Sequence, residues 1–341
     1  MTAPRLNLSR DEILAFRRRV SHLDERQPAG PASLRAAAWA GLQDSMPRAA
    51  LLSLHARVKG ATPAAWEDPA LVQVWGPRFS NYVVPAQDHA LFTLGRYPDD
   101  ERGRRVADDA AERVRAFLDG RKMGHHDVGE GLGVNPNSLR YGTTTGTILI
   151  RWEGARQPTI WTVPRPKIAP FDARVELARR FLHVLGPTTA VTFAGWAGIG
   201  AAQGQAAFDA LAGELTPVRT PIGDGWILSS DVPEFDAAPG PEAPARLLPS
   251  GDPYYLLWGA NRELLVPDPR QRADLWTSRV WPGALLVGGD VVGTWRRANQ
   301  NVSIQAWRKL TATERQAVEE EATSLPLPAL PGPIRVDWQD A

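Results

Sequence analysis

The chain has 341 residues, and its 39 basic and 38 acidic side chains leave a formal net charge of +1, which neither favours nor excludes nucleic acid as a partner. It contains no cysteine, which excludes disulfides, thiolate metal ligands and a cysteine nucleophile. No apolar run approaches the roughly 18 residues needed to cross a bilayer, and the first residues lack the apolar core of a signal peptide. We therefore expect a cytoplasmic protein with no membrane partner.

One order of elements, helices followed by a β-hairpin, occurs three times along the chain. In the first unit, the spacing of apolar residues predicts helices over 9–21, 33–44 and 47–59. The segment LVQVWGPRFSNYVVP then predicts a hairpin, with Gly76 and Pro77 as the turn signal.

The second unit begins with a helix near 101–119, followed by weaker helical stretches to about residue 140. Its hairpin is predicted from two runs of apolar and aromatic residues, 147–152 and 159–163, on either side of a glycine-containing loop. A Val-Pro pair ends this hairpin, as it does in the other two units.

The third unit has predicted helices near 172–185, 188–197 and 200–213. It closes with LTPVRTPIGDGWILSSDVP, in which two strand-like runs flank a Gly-Asp-Gly turn. Three helices and a hairpin within about 70–80 residues are typical of a winged helix, a variant of the helix-turn-helix.

The amino-acid composition and the pattern of apolar residues change after residue 233. A linker rich in proline, alanine and glycine, PEFDAAPGPEAPA, precedes short strand-like runs: YYLLWG, LWTSRVWPGALLVGGDVVGTWRRA and NVSIQAWRKL. An acidic helix is predicted over 311–324, and the proline-rich end SLPLPALPGPIRVDWQDA is expected to lie extended on the surface. We therefore predict a small β-rich domain at this end of the chain.

These patterns predict an α+β fold of three tandem winged-helix domains followed by a small C-terminal β-domain. The predicted boundaries are 1–98 for the first winged helix, 99–170 for the second, 171–233 for the third and 234–341 for the β-rich domain.

Basic side chains concentrate in the second unit. Between residues 138 and 167 a single acid, Glu153, accompanies five cations, which are Arg140, Arg151, Arg156, Arg165 and Lys167. Wings and helix ends of this fold class contact DNA phosphates, so we predict DNA binding by these cations, the alternative being an ordinary solvated face. At the first wing, Arg78 is predicted either to contact the DNA backbone or minor groove, or to belong to a tight turn packed by Trp75.

The sequence favours neither a metal nor a cofactor. His125 and His126 are adjacent, and neighbouring side chains on a helix or strand point in different directions. No spacing of further ligands accompanies them. The segment GWAGIGAAQG at 195–204 has the spacing G-x-G-x-x-x-G and no preceding strand, so helix packing and capping explain it better than nucleotide binding.

Several segments, in the same order along the chain, resemble winged-helix DNA-binding proteins of the AlkZ/YcaQ type. The residues that carry the resemblance are GLQDSMPRAALLSLHARV, VWGPRFSNYVVPAQD, RRFLHVLGPTTAVTFAGWAG and PSGDPYYLLWGANR with VWPGALLVGGDVVGTWR. The family comprises bacterial DNA glycosylases that act on N7-alkylated purines and interstrand crosslinks. The resemblance covers about residues 8–310 and implies three winged helices and a β-domain arranged as a C around duplex DNA.

The family's catalytic motif, Gln-apolar-Gln or Gln-apolar-Asp, falls on Gln43, Asp44 and Ser45 of this sequence. Gln43 matches, Asp44 replaces the apolar residue, and Ser45 replaces the second polar residue. Two long polar side chains can orient water and stabilise charge on the sugar, whereas Ser45 is short and a poor base. Asp44 could assist with its carboxylate, or Asp44 and Ser45 could cap free N–H groups at a helix junction that Pro47 begins.

Duplex DNA binding through basic wings is therefore the leading functional hypothesis, and we expect the chain to act as a monomer on double-stranded DNA of the nucleoid. One alternative is an active DNA glycosylase for bulky or N7-alkylated purines. Another is a transcriptional regulator or interaction scaffold. A regulator would show a large specificity ratio for particular sequences, and a repair-derived protein would prefer lesions or bent duplex.

Overall fold

The computed structural model describes residues 6–46, 48–154, 157–235, 243–327 and 332–339. Within these ranges the chain forms a mixed α+β fold of helices and three β-sheets, as the sequence predicts. None of the described helices is long and apolar enough to span a membrane.

The first unit contains short helices and one hairpin. Its elements are β1 (Leu6–Asn7), α1 (Arg10–Val20), α2 (Pro31–Ala37), β2 (Leu42–Gln43), α3 (Ala49–Arg57), β3 (Leu71–Trp75), β4 (Asn81–Pro85) and α4 (His89–Leu94). Helix α1 begins with a capping box, because the Ser9 hydroxyl accepts from the amide of Glu12 and the Glu12 carboxylate accepts from the amide of Ser9.

The second unit begins with the long amphipathic helix α5. Its elements are α5 (Glu101–Leu118), β5 (Met123–Gly124), α6 (His125–Gly131), β6 (Ile148–Arg151) and β7 (Thr159–Thr162), with a 3-10 segment over Pro136–Thr145. Small or apolar residues recur along one face of α5 and are buried against that segment.

The third unit places three helices before its hairpin. They are α7 (Pro170–Leu185), α8 (Ala190–Ala197) and α9 (Ala201–Ala210), followed by β8 (Leu215–Thr220) and β9 (Gly223–Leu228). Helices α8 and α9 approach each other closely, since a Cβ at Gly204 of α9 would lie 2.8 Å from the carbonyl oxygen of Ala190 in α8. Close helix packing therefore explains Gly204, and helix capping explains Gly198, which ends α8 with a φ of +71°.

The C-terminal unit is β-rich and carries one long helix. Its elements are α10 (Val232–Phe235), β10 (Arg246–Leu248), α11 (Ala260–Leu265), α12 (Pro269–Leu275), β11 (Gly283–Val287), β12 (Asp290–Ala298), β13 (Asn301–Ala306), α13 (Ala312–Thr323) and β14 (Arg335–Gln339). Strands β10 to β14 form one sheet in chain order.

All three predicted hairpins are confirmed, because β3–β4, β6–β7 and β8–β9 pair antiparallel. The first two hairpins join into one six-stranded sheet of order β2-β4-β3-β6-β7-β5, through the pairing of Gln73 with Ile150. The third hairpin pairs instead with β1 in a three-stranded sheet.

Two local predictions are wrong. The helix predicted over 33–44 ends at Ala37, because Gly41 has a φ of +82° and the chain then pairs as β2 with β4. The segment YYLLWG is not a strand, since the Asp252 carboxylate accepts from the Tyr254 amide and turns the backbone. The proline-rich end agrees with its prediction where it is described, because β14 is extended and partly exposed, and it also pairs in parallel with β13 at the edge of the sheet.

Several predicted features lie wholly or partly outside the described residues. They are Pro47, Arg156 of the basic cluster, residues 236–242 of the linker, and residues 328–331 and 340–341 of the proline-rich end.

One hydrophobic core connects the predicted units. Phe92 of α4, Phe181 of α7 and Phe193 of α8 belong to the same buried cluster as Tyr255 and Leu286 of the C-terminal unit. Because these residues come from distant parts of the chain, they fix the positions of the connecting loops relative to one another. The segment around β2 lies among those loops.

Candidate functional site

Strand β2 determines which side chains of the motif Gln43-Asp44-Ser45 lie together. Leu42 and Gln43 pair with Val83 and Tyr82, and the amide of Asp44 donates to the Asn81 carbonyl at 2.8 Å. Successive side chains of a strand point to opposite faces. Accordingly, Gln43 Nε2 donates to Ser45 Oγ at 2.8 Å, whereas the Asp44 side chain points into the interior and is 2% exposed.

Asp44 joins the start of α3 to strand β3. Its Oδ1 accepts from the Ala50 amide at 3.0 Å, and its Oδ2 accepts from Gln73 Nε2 at 2.9 Å. Burial raises the pKa of the Asp44 carboxyl to about 6. The predicted capping role of Asp44 is confirmed, and its carboxylate lies on the opposite face of the strand from Gln43.

The Gln43 amide is held on several sides. Its Oε1 lies 3.4 Å from both Arg78 Nη2 and the Tyr82 hydroxyl. Burial raises the pKa of Tyr82 to about 12, so that hydroxyl stays protonated and can donate. On another side, a Cβ at Gly251 would lie 3.4 Å from Gln43 Nε2. Gln43 is half-buried and Ser45 is exposed, so the pair is open to solvent.

Arg78 stands at the turn of the first hairpin, where both Arg78 and Phe79 adopt left-handed backbone conformations with φ of +53° and +56°. Its guanidinium donates to the Trp196 carbonyl at 3.1 Å and lies 4.2 Å from the centre of the Trp258 ring. These contacts occupy the side chain within the protein and place it against Gln43. The backbone forms the tight turn that was the alternative prediction, and a DNA contact by Arg78 stays a prediction.

The other predicted DNA-binding cations differ in their surroundings. Arg151 pairs with Glu67 at 3.1 Å and with Glu153 at 3.8 Å, and it stacks 3.6 Å from the centre of the Trp66 ring. Arg140 lies 5.6 Å from the centre of the Trp75 ring, and its buried Nε makes no hydrogen bond within the described ranges.

Arg165 and Lys167 are exposed beside the second hairpin. Arg156 lies outside the described residues. Among the described members of the predicted cluster, these two cations are the exposed ones, and they have fewer hydrogen bonds and ion pairs with neighbouring protein groups than Arg151 has.

No group of three or more potential ligands among the described His, Asp and Glu residues is arranged to hold a metal ion. The ring of His125 is buried and makes edge contacts with Trp75 and His126. Burial lowers the pKa of His125 to about 4.

Two cavities are lined by neighbours of residues that contact the pair, and neither is lined by Gln43 or Ser45 itself. A cavity of about 350 Å³ is lined by Met46 and Ser250 on the side of the C-terminal sheet. A larger one, of about 470 Å³, is lined by Trp196 and Trp258, the same residues that hold Arg78. The sequence analysis did not identify Tyr82, Gly251 or Trp258 as neighbours of Gln43, because nothing in their local spacing connects three separate segments.

The structure is similar to that of Streptomyces sahachiroi DNA glycosylase AlkZ, with a TM-score of 0.77 and 18% sequence identity, over 98% of this chain and 100% of that chain. At that identity the likeness establishes the fold alone. The family model "DNA glycosylase AlkZ-like" matches residues 36–326, most of the chain. The chain therefore belongs to the AlkZ-like DNA glycosylase family, as the resemblance implies, and no curated protein matches it in sequence.

Proposed function

We propose that this chain binds duplex DNA and releases N7-alkylated purines by hydrolysis of the N-glycosidic bond at the pair Gln43 and Ser45. The observation that carries this proposal is the hydrogen bond between the two side chains on one open face of β2, with Asp44 turned to the opposite face. Membership of a glycosylase family supports the class of reaction.

The surroundings of Gln43 fit a purine that leaves without protonation. Alkylation of N7 puts a positive charge on the purine. When the bond between C1′ and N9 breaks, the electron pair goes to the base and neutralises it. The hydrogen bonds of Gln43 within the described ranges involve Ser45, Arg78 and Tyr82, and no carboxyl or imidazole. Such a site offers no ordinary general acid, and a cationic leaving group needs none.

Gln43 and Ser45 are placed to orient the attacking water. The Ser45 Oγ accepts from Gln43 Nε2, so its remaining lone pair can accept from a water molecule. The same water can donate to Gln43 Oε1, which has only two long contacts of 3.4 Å. Its oxygen then forms the bond to C1′ of the oxocarbenium-like sugar, and its proton passes to solvent.

We propose further that the three helix-and-hairpin units act as winged helices on DNA. The exposed Arg165 and Lys167 are the cations best placed to contact phosphate, with Arg140 and Arg156 as further candidates and Arg78 and Arg151 as weaker ones, because both make internal contacts. The chain would act as a monomer on cytoplasmic, nucleoid DNA. Binding of this kind supplies affinity with little dependence on sequence.

A second candidate is binding of damaged duplex without base release. It is favoured by the short side chain of Ser45, which replaces a longer polar residue of the family motif, and by the orientation of Asp44 away from Gln43. In that case the protein binds DNA but does not catalyse release of the base.

The test is a single-turnover assay with excess protein on a duplex that carries one 7-methylguanine, with free base and duplex binding measured in parallel. We expect release to fall about 100-fold or more in Gln43→Ala, a size typical of a lost preorganised polar group, with binding unchanged. Release that survives in Gln43→Ala contradicts the proposed site. Binding of the damaged duplex without release establishes the second candidate, and binding that depends on sequence rather than damage indicates a regulator.

Substitution of Ser45 tests whether the rate of base release can be increased. Ser45→Asp restores the Gln-x-Asp pattern on the same face as Gln43 and adds a carboxylate that can accept a proton from water. We expect release to rise by about tenfold or more, within the range of general-base catalysis. The matched control is Ser45→Asn, which has the same shape and no charge and is expected to gain little. An equal rise in both variants would contradict a role for the carboxylate as base.

A further inference from the structure

A cavity of about 470 Å³ lies between α8, the hairpin β8–β9 and the start of α11. Its size is within the range of small-ligand sites, and the reaction proposed for Gln43 and Ser45 does not use it. The residues that matter for its chemistry are Val191, Gly195, Trp196, Ile222, Trp258 and Asn261.

One side chain, Arg78, contacts both Gln43 and two residues that line the cavity. Arg78 lies 3.4 Å from Gln43 Oε1, donates to the Trp196 carbonyl and stacks on the Trp258 ring. Trp196 and Trp258 are also lining residues of the cavity. A group bound there is therefore one side chain away from the Gln43 amide.

The lining is suited to a flat aromatic ring. Trp258, which is partly exposed, supplies apolar surface and a π-face, whereas the Trp196 ring is buried in the core. Base–aromatic stacking is a common source of affinity for nucleic acid. Val191, at 71% exposure, is the most exposed large apolar residue of the described chain, and it lines this cavity.

One polar group in the cavity has a fixed orientation. Asn261 Oδ1 accepts from Nη2 of the buried Arg17 at 2.9 Å, so the Oδ1 end of the amide faces Arg17. The Nδ2 end makes no hydrogen bond to any residue that the structure describes. It can donate to a ring nitrogen or carbonyl oxygen of a bound heterocycle.

We propose that this cavity binds a flat aromatic ring of the damaged nucleotide, either the purine itself or an aryl substituent on its N7. The inference rests on the proposed function in that the ring belongs to the nucleotide positioned at Gln43. Arg78 then links the two sites, because it contacts Gln43 and stacks on the Trp258 indole that lines the cavity.

Gly195 allows the cavity to be filled without disturbing the fold. A Cβ at Gly195 meets nothing within 4 Å, and Gly195 has an ordinary helical backbone in α8. Gly195→Phe places a ring in the cavity, and Gly195→Ala leaves it open. The matched control is Gly213→Phe, since Gly213 also has open space around it and does not line this cavity.

The experiment measures dissociation constants of the full chain and its variants for three duplexes. One is undamaged, one carries a single 7-methylguanine and one a single 7-benzylguanine, the last two on 2′-fluoroarabinose sugars that resist hydrolysis. We expect Gly195→Phe to weaken binding of the benzylated duplex by about tenfold or more, as loss of one stacked ring would, with Gly195→Ala and Gly213→Phe near wild type.

The outcomes show whether the bound ring is the purine or its substituent, and they show separately whether the proposal fails. Weaker binding of the benzylated duplex alone assigns the cavity to the substituent, and equally weaker binding of both damaged duplexes assigns it to the purine. Unchanged binding of both, or an equal loss for undamaged DNA, overturns the inference. Because these duplexes are not hydrolysed, the result is independent of base release, which tests the proposed function separately.

Discussion

At the scale of the residue, two neighbours in the sequence occupy opposite environments. Gln43 is open to solvent and is held by weak contacts from Arg78 and Tyr82, whereas Asp44 is buried between α3 and β3. Its two hydrogen bonds only partly offset the cost of burying a carboxylate, which is why its pKa is raised. Asp44 therefore positions the strand, and Gln43 is left for chemistry.

The raised pKa of Asp44 predicts a pH dependence of stability. The carboxyl has a pKa of about 6 in the folded chain against 3.8 for the unperturbed group, so between these pH values the folded state binds more protons. The free energy of unfolding therefore falls by on the order of 3 kcal/mol as the pH rises through this window, because the stabilising protonated form is lost. Asp44→Asn removes this titration.

The measurement is the free energy of urea unfolding from pH 4 to pH 8 for wild type and Asp44→Asn. We expect wild type to lose stability relative to the variant as the pH rises to about 6 and to change little above it. The control is Asp11→Asn, whose carboxylate is exposed on α1. A difference between wild type and Asp44→Asn that stays constant with pH would contradict the account of Asp44.

At the scale of the element, a buried ion pair connects α3 to the segment that lies against Gln43. Arg57 makes two hydrogen bonds to the Asp252 carboxylate, of 2.7 and 2.8 Å, and the Ser53 hydroxyl donates to it at 2.7 Å. Both charged side chains are almost completely buried, at 2% and 0% exposure. Gly251, next along the chain, is thereby kept against the Gln43 amide.

Asp252→Ala is expected to destabilise the chain by about 3–5 kcal/mol, because it leaves Arg57 buried without its counter-charge. The measurement is the midpoint of urea unfolding, with the slope of the unfolding free energy against urea concentration expected to stay the same. The comparison is Glu101→Ala, which removes an exposed pair with Arg105 and should cost roughly 0.5 kcal/mol or less. Similar costs for both variants would refute the structural importance of the buried pair.

At the scale of the whole molecule, the shared core and the joined sheet combine the helix-and-hairpin units into one framework. The six-stranded sheet unites the first two hairpins, and β1 at the start of the chain pairs with β8 of the third unit. Charge is divided unevenly over this framework, because residues 1–170 have more basic than acidic groups and residues 171–341 the reverse. We therefore expect the N-terminal half to supply most of the phosphate contacts.

The salt dependence of binding to undamaged duplex tests that expectation. Each phosphate contact contributes about −0.9 to the slope of log K against log salt concentration, so Arg165→Ala with Lys167→Ala should reduce the slope by about 2. Arg151→Ala is expected to change it less, because Arg151 is already paired with Glu67 and Glu153. An unchanged slope in the double variant would place the contacts elsewhere.

Local sequence signals predicted most of the elements. The helix of α5 and the three hairpins were predictable because apolar periodicity and turn residues act over a few positions. The structure of segment 38–46 was not predictable in this way, because its strand β2 depends on pairing with β4, about forty residues further along the chain. For that reason the sequence predicted a helix over part of the motif. It therefore did not predict that the side chains of Gln43 and Ser45 lie on the same face of the chain.

By itself the sequence determined the α+β class, the order of helices and hairpins, the family resemblance and the position of the motif at residues 43–45. Only the tertiary structure decided that Gln43 and Ser45 share one face, that Asp44 is a buried cap, and that Arg78 stands between Gln43 and a tryptophan-lined cavity. The physical reason is that the side-chain periods of helix and strand are local, whereas the pairing of β2 with β4 and the packing of Trp258 against Arg78 depend on contacts between distant segments.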